Sequence, residues 1–102
     1  MKKNKNDNFN VLREVGKKPG TSQRELSKNL GLSLGKINYC IKALRDKGLI
    51  KISNFSKNPN KLNYVYILTP KGVASKTRLT IDFMKRKMKE YEELKKELNT
   101  KK

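Results

Sequence analysis

The sequence predicts a mainly α-helical domain that carries a small β-sheet, an α+β fold. Apolar residues recur at helical spacing in three short segments between Phe9 and Gly48. Two β-prone segments follow, separated by a loop rich in Asn, Ser and Lys. From Pro70 to Leu98 the chain has no further proline and only one glycine, which predicts a single long helix.

The composition indicates a single domain with an anionic partner. The chain has 102 residues and a formal net charge of +17, from 26 Lys and Arg against 9 Asp and Glu. A charge of this size destabilises a compact chain by self-repulsion unless an anion compensates it. Nucleic acid is the commoner partner of this kind, and an anionic membrane surface is the second. A Lys- and Asn-rich proteome would raise the charge without any partner.

The residue types exclude most enzyme chemistry. The sequence has no His and one Cys, so it lacks the usual proton shuttle, an internal disulfide and a cysteine metal cluster. We therefore expect no enzyme activity, no cofactor and no metal, with Cys40 as a small buried residue. No stretch is apolar enough to span a membrane or has the pattern of a secretory signal. The expected location is the cytoplasm.

The first part of the chain combines a basic arm with a short helix. Residues 1–8 are mostly Lys and Asn and are predicted to form a disordered arm. Phe9, Leu12 and Val15 then recur at helical spacing, and the Pro and Gly of the turn at 17–20 end this helix. The compact domain is therefore predicted to begin at residue 9.

The next two helices are joined by a tight turn. Ser22 and Glu25 have the spacing of a capping box, and Gly31 can end a helix in the left-handed conformation. Ser33 is the N-cap of a third helix, which ends at Gly48. The apolar face of that helix consists of Ile37, Cys40, Ile41 and Leu44. Short helices joined in this way are typical of a helix-turn-helix.

The two β-prone segments predict a wing. Residues 49–52 are β-prone, residues 64–68 are rich in aromatic and β-branched side chains, and the loop between them is polar and basic. Because these strands directly follow the helix-turn-helix, the sequence predicts a winged helix-turn-helix domain over residues 9–68.

The last segment predicts a dimerisation helix over residues 69–98, with 99–102 as a frayed tail. Thr69 is its N-cap, and apolar residues from Ala74 onwards alternate in steps of three and four, interrupted by Lys95. The alternative is that this seam packs on the core of its own chain, but the helix is too long for that. The residues predicted to dimerise are Thr77, Ile81, Met84, Met88, Tyr91 and Leu98.

Polar residues opposite the apolar face of the third helix are candidates for contacting double-stranded DNA. Asn38 has the groups for a bidentate pair with adenine, and Lys36 or Lys42 can donate to guanine or phosphate. Amides at the start of the second helix suit a phosphate, and Arg24 adds charge there. The predicted contact residues are Thr21, Ser22, Gln23, Arg24, Ser33, Gly35, Lys36, Asn38, Tyr39 and Lys42, with Lys57, Asn58, Asn60 and Lys61 in the wing.

The stretch QRELSKNLGLSLGKINYCIKALRDKGLIKI, followed by YVYILTPKG and LTIDFMKRKMKEYEELKKEL, resembles the MarR-type winged-helix regulators. It is most similar to their short subgroup associated with exopolysaccharide gene clusters, over nearly all of residues 9–98. The resemblance implies a homodimer whose recognition helices enter successive major grooves of a pseudo-palindromic operator. It also implies transcriptional control, with exopolysaccharide genes as the implied target.

The sequence departs from that family in two places. The wing loop NFSKNPNKLN contains no Arg, whereas the wing of the family usually carries an acidic and arginine-rich motif. The N-terminal helix that helps to build the dimer domain and a ligand pocket is replaced by a short arm. Dimerisation is therefore expected to rest on the C-terminal helix, and no effector site is evident.

Two other classes of function remain open from the residues alone. A winged helix and a coiled coil can form a protein-interaction module in which the charge is incidental. A nonspecific architectural or RNA-binding protein would use the charge without reading sequence. Only the two hypotheses that involve nucleic acid, the DNA-binding regulator and the nonspecific binder, require binding to weaken steeply as the salt concentration rises.

Overall fold

The computed structural model describes residues 5–54, 60 and 63–100. Within these residues, three short helices and the start of a fourth pack against a small antiparallel sheet, and the rest of the fourth helix extends away from the domain. In chain order the elements are α1 (Lys5–Lys17), β1 (Thr21–Ser22), α2 (Gln23–Leu30), α3 (Leu34–Asp46), β2 (Ile50–Ile52), β3 (Val65–Leu68) and α4 (Pro70–Thr100). The predicted α+β fold, a winged helix-turn-helix followed by one long helix, is confirmed.

Local capping interactions begin and end the helices of the helix-turn-helix. Ser22 Oγ accepts from the amide of Glu25 at 3.2 Å, and the Glu25 carboxylate accepts from the amide of Ser22 at 3.1 Å. Gly31 ends α2 with φ +69°, a conformation that residues with a Cβ rarely adopt. Ser33 Oγ accepts from the amide of Lys36 and begins α3. The predicted caps at Ser22, Gly31 and Ser33 are confirmed.

The first helix begins at Lys5, four residues before its predicted start. Asp7 lies in its first turn, where a carboxylate interacts favourably with the helix dipole. That carboxylate also forms an ion pair with Lys36 of α3 at 3.3 Å. The prediction of a disordered arm is therefore wrong for residues 5–8, which are helical. Residues 1–4 lie outside the described residues.

The sheet has a third strand that the sequence analysis missed. The strand order is β1-β3-β2, with both pairs antiparallel, and Tyr66 of β3 lies between Thr21 of β1 and Ile52 of β2. Tyr66 is completely buried in the core. The other residues of this core cluster come from all three short helices, from β2 and from the residue just before β2: Val11, Leu12, Val15, Leu26, Ile37, Cys40, Ile41, Leu44, Leu49 and Ile50.

A close backbone contact joins α4 to the end of the helix-turn-helix. The amide of Thr69 donates to the carbonyl oxygen of Leu49 at 3.0 Å, and Thr69 Oγ1 donates to the carbonyl oxygen of Gly48 at 2.6 Å. The same hydroxyl accepts from the amide of Gly72 at 3.0 Å, which confirms Thr69 as the N-cap. Gly72 is buried, and a Cβ at this residue would lie 1.9 Å from the carbonyl oxygen of Leu49.

Only the first half of α4 packs against the rest of the chain. The rings of Phe83 and Phe9 lie 6.1 Å apart, and every residue from 84 to 100 is exposed. The alternative that the apolar seam packs on its own core is therefore wrong. The helix continues to Thr100, so Asn99 and Thr100 do not form the predicted frayed tail. Within the described residues, no helix combines the length and apolar character that a membrane span requires.

Replacing Gly72 with Ala should destabilise the domain, because the added methyl group collides with the backbone of Leu49. Overpacking of this kind costs about 1–3 kcal/mol, so the thermal unfolding midpoint should fall. Circular dichroism at one protein concentration measures it. The matched control is Gly35→Ala, where the nearest atom is 4.0 Å from the added Cβ and stability should rise by up to about 1 kcal/mol. Equal midpoints for the two variants would contradict the packing described.

Candidate nucleic-acid interface

Helix α3 presents a polar face on the side opposite to its core contacts. Ile37, Cys40, Ile41 and Leu44 are at most 3% exposed and hold the helix against α1 and α2. Gly35, Tyr39 and Lys42 lie on the opposite side and are exposed, as the sequence predicted. Tyr39 retains 46% of its surface. The centre of this face therefore offers a DNA groove one aromatic ring and one ammonium group, and the nearest atom to a Cβ added at Gly35 would be 4.0 Å away.

Asn38 lies at the edge of this face and is oriented by a buried glutamine. Gln23 is 2% exposed, and its Nε2 donates to Tyr66 Oη at 3.0 Å and to Asn38 Oδ1 at 3.3 Å. Because Oδ1 of Asn38 accepts this hydrogen bond, its Nδ2 is the donor that the side chain presents away from the core. The Gln23 amide thus connects the sheet to the polar face of α3.

Lys36 does not join the exposed face that was predicted for it. Its ammonium group lies 3.3 Å from the Asp7 carboxylate, and its side chain is 31% exposed. The ion pair crosses from α3 to the first turn of α1, so the charge of Lys36 is directed along the domain surface. Ser33 is exposed, but its hydroxyl caps α3 through the amide of Lys36.

The first turn of α2 is a poorer anion site than the sequence suggested. Thr21 and Gln23 are buried, at 3% and 2% exposed, so their side chains do not reach the surface and a predicted DNA contact could come only from their backbone amides. The amide of Glu25 already donates to Ser22 Oγ, and the carboxylate of Glu25 accepts from Thr21 Oγ1 at 3.3 Å. A carboxylate at this position repels a phosphate. Arg24 is exposed and is the cation of this turn.

The base of the wing is fixed by one asparagine. Asn54 Oδ1 accepts from the amide of Val65 at 2.9 Å, and its Nδ2 donates to the carbonyl oxygen of Asn63 at 3.3 Å. Asn60 is exposed, in agreement with its predicted place in the loop. The other predicted wing contacts, Lys57, Asn58 and Lys61, lie outside the described residues.

Arg45 is a candidate contact residue that the sequence analysis missed. It is exposed on α3 and lines an open groove of about 480 Å³ together with Ile50, Lys51 and Ile52 of β2. Burial raises the pKa of Tyr66, and the positive charge of Arg45 is one of the effects that oppose this rise. The signal was its spacing: Arg45 follows Asn38 by seven residues, or two helical turns, so both lie on one side of α3.

Burial keeps the two ionisable core groups neutral. Burial raises the pKa of the Cys40 thiol above its usual 9.0, and the Asp7 carboxylate raises it further. Burial also raises the pKa of the Tyr66 phenol above 10.0, against a lowering effect of its hydrogen bond with Gln23. Cys40 is 1% exposed, so the expectation of a small buried residue is confirmed.

The predicted dimerisation residues all lie on the exposed surface of α4. Ile81, Met84, Met88, Tyr91 and Leu98 are between 46% and 74% exposed. Thr77 is exposed on the same side of the helix. A continuous apolar strip of this length on one helix is unusual for a surface in contact with water only.

A cleft between α1 and α4 was not predicted. It has a volume of about 560 Å³, and the residues that line it include the apolar Phe9, Leu12 and Leu79 and the charged Asp82 and Arg86. The cleft lies on the side of α4 that faces the winged helix, away from the exposed apolar strip.

The comparisons with known proteins agree with this geometry. Residues 8–51 match the family model described as winged helix-turn-helix DNA-binding. Among curated protein sequences, none matches this chain.

Solved structures with a similar fold include MarR proteins and FabT. MarR of Staphylococcus aureus, in complex with salicylate and kanamycin, is 24% identical over 85% of this chain and 57% of its own, with a TM-score of 0.78. FabT of Streptococcus pneumoniae, in complex with DNA, is 24% identical over 83% of this chain and 57% of its own, with a TM-score of 0.65. The apo form of MarR from E. coli is 27% identical over 71% and 52%, with a TM-score of 0.60.

The chain therefore has a winged helix-turn-helix fold, part of it matches a family described as DNA-binding, and its structure is similar to those of MarR family regulators. It spans less than three-fifths of the length of these three structures.

The Cys40 thiol should react slowly with a disulfide reagent in the folded protein, because burial both shields it and keeps it protonated. At pH 8 we expect labelling at least about tenfold slower than in denaturant, with Cys40→Ser as the unreactive control. The folded state retains a proton that the unfolded chain releases above about pH 9, so the stability due to this group is complete below that pH and declines above it. Equally fast labelling of folded and unfolded protein would contradict a buried thiol.

Proposed function

We propose that this protein is a sequence-selective transcription regulator that binds double-stranded DNA as a homodimer on a pseudo-palindromic operator in the cytoplasm. The observation that carries the proposal is the outward face of α3. Gly35, Tyr39 and Lys42 are exposed there, and the buried Gln23 orients Asn38 beside them. This combination of a rigidly packed helix and exposed polar groups is what reading of base edges requires.

Asn38 is the proposed base-reading residue. With Oδ1 engaged by Gln23, the Nδ2 group can donate to an acceptor in the major groove, such as N7 of a purine. A second lone pair on Oδ1 remains for the N6 amino group of adenine. Because Gln23 is fixed by Tyr66, the geometry of this contact is set before DNA binds.

Exposed cations around this face supply the phosphate contacts. Lys42 and Arg24 are exposed on α3 and α2, and Arg45 lines the groove between α3 and the wing. Such contacts fix the position of a protein on the duplex without reading sequence. The prediction from sequence that Lys57, Asn58 and Lys61 also contact DNA remains part of the proposal.

The proposal of a homodimer is based on the exposed apolar seam of α4. The proposal of target genes is based only on the resemblance to a family. FabT of Streptococcus pneumoniae is a protein of this fold that was solved in complex with DNA. The similarity to the exopolysaccharide-associated subgroup suggests that the operator controls exopolysaccharide genes. The protein-interaction module is the competing function, and it is favoured only if DNA is not retained.

Selection of genomic DNA fragments by the purified full chain at near-physiological salt tests the function. We expect the retained fragments to share an inverted repeat whose half-sites lie about one helical turn apart. The logarithm of the binding constant should fall steeply and linearly with the logarithm of the salt concentration. Retention without a common motif would indicate nonspecific binding. No retention would favour the protein-interaction module.

Asn38→Ala should weaken operator binding by about 1–3 kcal/mol and relax the preference at one base position. Arg24→Ala should instead weaken binding to operator and random duplex by similar factors, since a phosphate contact carries no sequence information. Fluorescence anisotropy on matched duplexes measures both, and thermal unfolding checks that Gln23 still packs without its partner. If Asn38→Ala acts equally on operator and random DNA, direct reading by this residue is wrong.

Met88→Glu should prevent dimerisation, because it places a carboxylate in the middle of the apolar seam. Lys89→Glu is the matched control on the neighbouring residue, which lies outside the predicted seam. Sedimentation equilibrium should give a monomer for the first variant and a dimer for the second, and operator affinity should fall much more for the first. A stable dimer of Met88→Glu would rule out the seam.

A further inference from the structure

The apolar strip of α4 faces away from its own winged helix. Ile81 follows Gly72 by nine residues, which places it half a helical turn around the axis from the buried contact with Leu49. Met84 and Met88 continue the strip and are 55% and 61% exposed. A second helix can therefore lie along this strip without touching the domain that packs on the other side.

We propose that the strip pairs with the same strip of a second copy in antiparallel orientation, with the two-fold axis at Arg86. This inference deepens the proposed function, since it rests on the chain acting as a homodimer. Residues at equal distances on either side of Arg86 then face one another across the interface. The facing pairs are Met84 with Met88, Ile81 with Tyr91, Thr77 with Lys95, and Ala74 with Leu98.

The seam itself favours this orientation. Its steps of three and four residues are symmetric about residue 86, so each layer combines an a position of one helix with a d position of the other. Small Ala74 then meets large Leu98. A parallel pair would place each residue against its own copy. Two small Ala74 side chains would then leave one layer poorly filled, and two Lys95 ammonium groups would lie in another layer.

The antiparallel pair also provides cover for Leu94. This residue is 60% exposed and lies beside the predicted seam. In the antiparallel register it comes next to Thr80 of the partner subunit, a half-buried residue with a methyl group. The C-terminal half of α4, which contacts nothing else in its own chain, then packs along the first half of the partner's helix.

Repulsion between the two DNA-binding domains favours the same orientation. Residues 1–69 contain fifteen Lys and Arg against four Asp and Glu. In a parallel pair the helix axes lie about 8–10 Å apart, so the starts of both helices and their basic domains come close together. In the antiparallel pair the two Gly72 residues lie about 42 Å apart along the axis, and charges are screened over about 8 Å at physiological salt.

The charged residues beside the seam have a smaller effect. Antiparallel pairing brings Arg78 next to the partner subunit's Glu92, but it also brings Lys85 and Lys87 near their own copies. Parallel pairing would offer Lys87 to Glu92. All four positions are exposed on α4, where single ion pairs contribute little and are screened by salt. The repulsion between whole domains and the composition of the layers therefore decide the orientation.

Disulfide formation between two different variants tests the orientation. Ala74→Cys and Leu98→Cys proteins, one of them carrying a mass tag, are mixed under reducing conditions and then oxidised. We expect a mixed disulfide between the two variants and little disulfide within either alone, since two copies of residue 98 would lie about 36 Å apart. The wild type, whose Cys40 is buried, is the control for background oxidation.

A spin label outside the seam gives an independent distance. Lys96→Cys leaves the apolar layers intact, and two labels at this position should lie about 30 Å apart in the antiparallel pair and under about 20 Å in a parallel one. Self-linking of Leu98→Cys, a short label distance, or a monomer in sedimentation would each overturn the inference. DNA retention by the same preparations is measured separately, so failure of the proposed function is distinguishable from failure of the orientation.

Discussion

The approach of Gly72 to the carbonyl oxygen of Leu49 determines how the long helix leaves the DNA-binding domain. No side chain fits between these backbones, so α4 begins in direct contact with the strand that follows the recognition helix. Thr69 reinforces the contact by bonding to Gly48 and Leu49 at once. Because both backbones are held by hydrogen bonds, the direction of α4 is tied to the position of α3 and not to a flexible linker.

Tyr66 plays the corresponding part inside the domain. It is the middle residue of the sheet and is completely buried, yet its hydroxyl needs a partner because an unpaired polar group in a core is costly. Gln23 satisfies it and uses the same amide nitrogen to reach Asn38. A requirement of core packing thereby also orients a residue on the recognition face. The wing and the recognition helix are coupled through this one amide.

The caps and turns could be predicted because they depend on residues close in sequence. Ser22, Gly31, Ser33 and Thr69 each act within three residues of their partners or through their own backbone. Strand β1 could not be predicted from the sequence, because two residues are too few to show a periodic pattern. The strand exists only through its pairing with β3.

The errors at the site have a similar origin. Lys36 was assigned to DNA because it lies near the outer face of α3, and only the folded chain reveals Asp7 beside it. Gln23 was different, because it lies three residues before the buried Leu26 and its place on the inner face of α2 could be read from spacing. Gln23 was predicted to contact DNA because its side chain is polar, although its spacing to Leu26 indicated a buried position. The start of α1 was placed late for the related reason that the stabilising role of Asp7 depends on α3.

The high positive charge explains why a rigid dimer with two DNA-binding domains would give this protein selectivity for its operator. In the proposed function, a net charge of +17 would give affinity for any duplex through its phosphates, so nonspecific affinity is easily obtained and selectivity is not. One recognition face offers few base-reading groups, and each good contact discriminates by only about 1–3 kcal/mol. Two faces held at a fixed separation multiply that discrimination, because the second half-site is then read at high effective concentration only when its spacing is right. In the proposed dimer, the backbone contact at Gly72 fixes the direction of α4 relative to its domain, and the length of α4 sets the separation of the two domains. Selectivity would therefore arise from backbone packing far from the DNA as much as from the residues that contact the DNA.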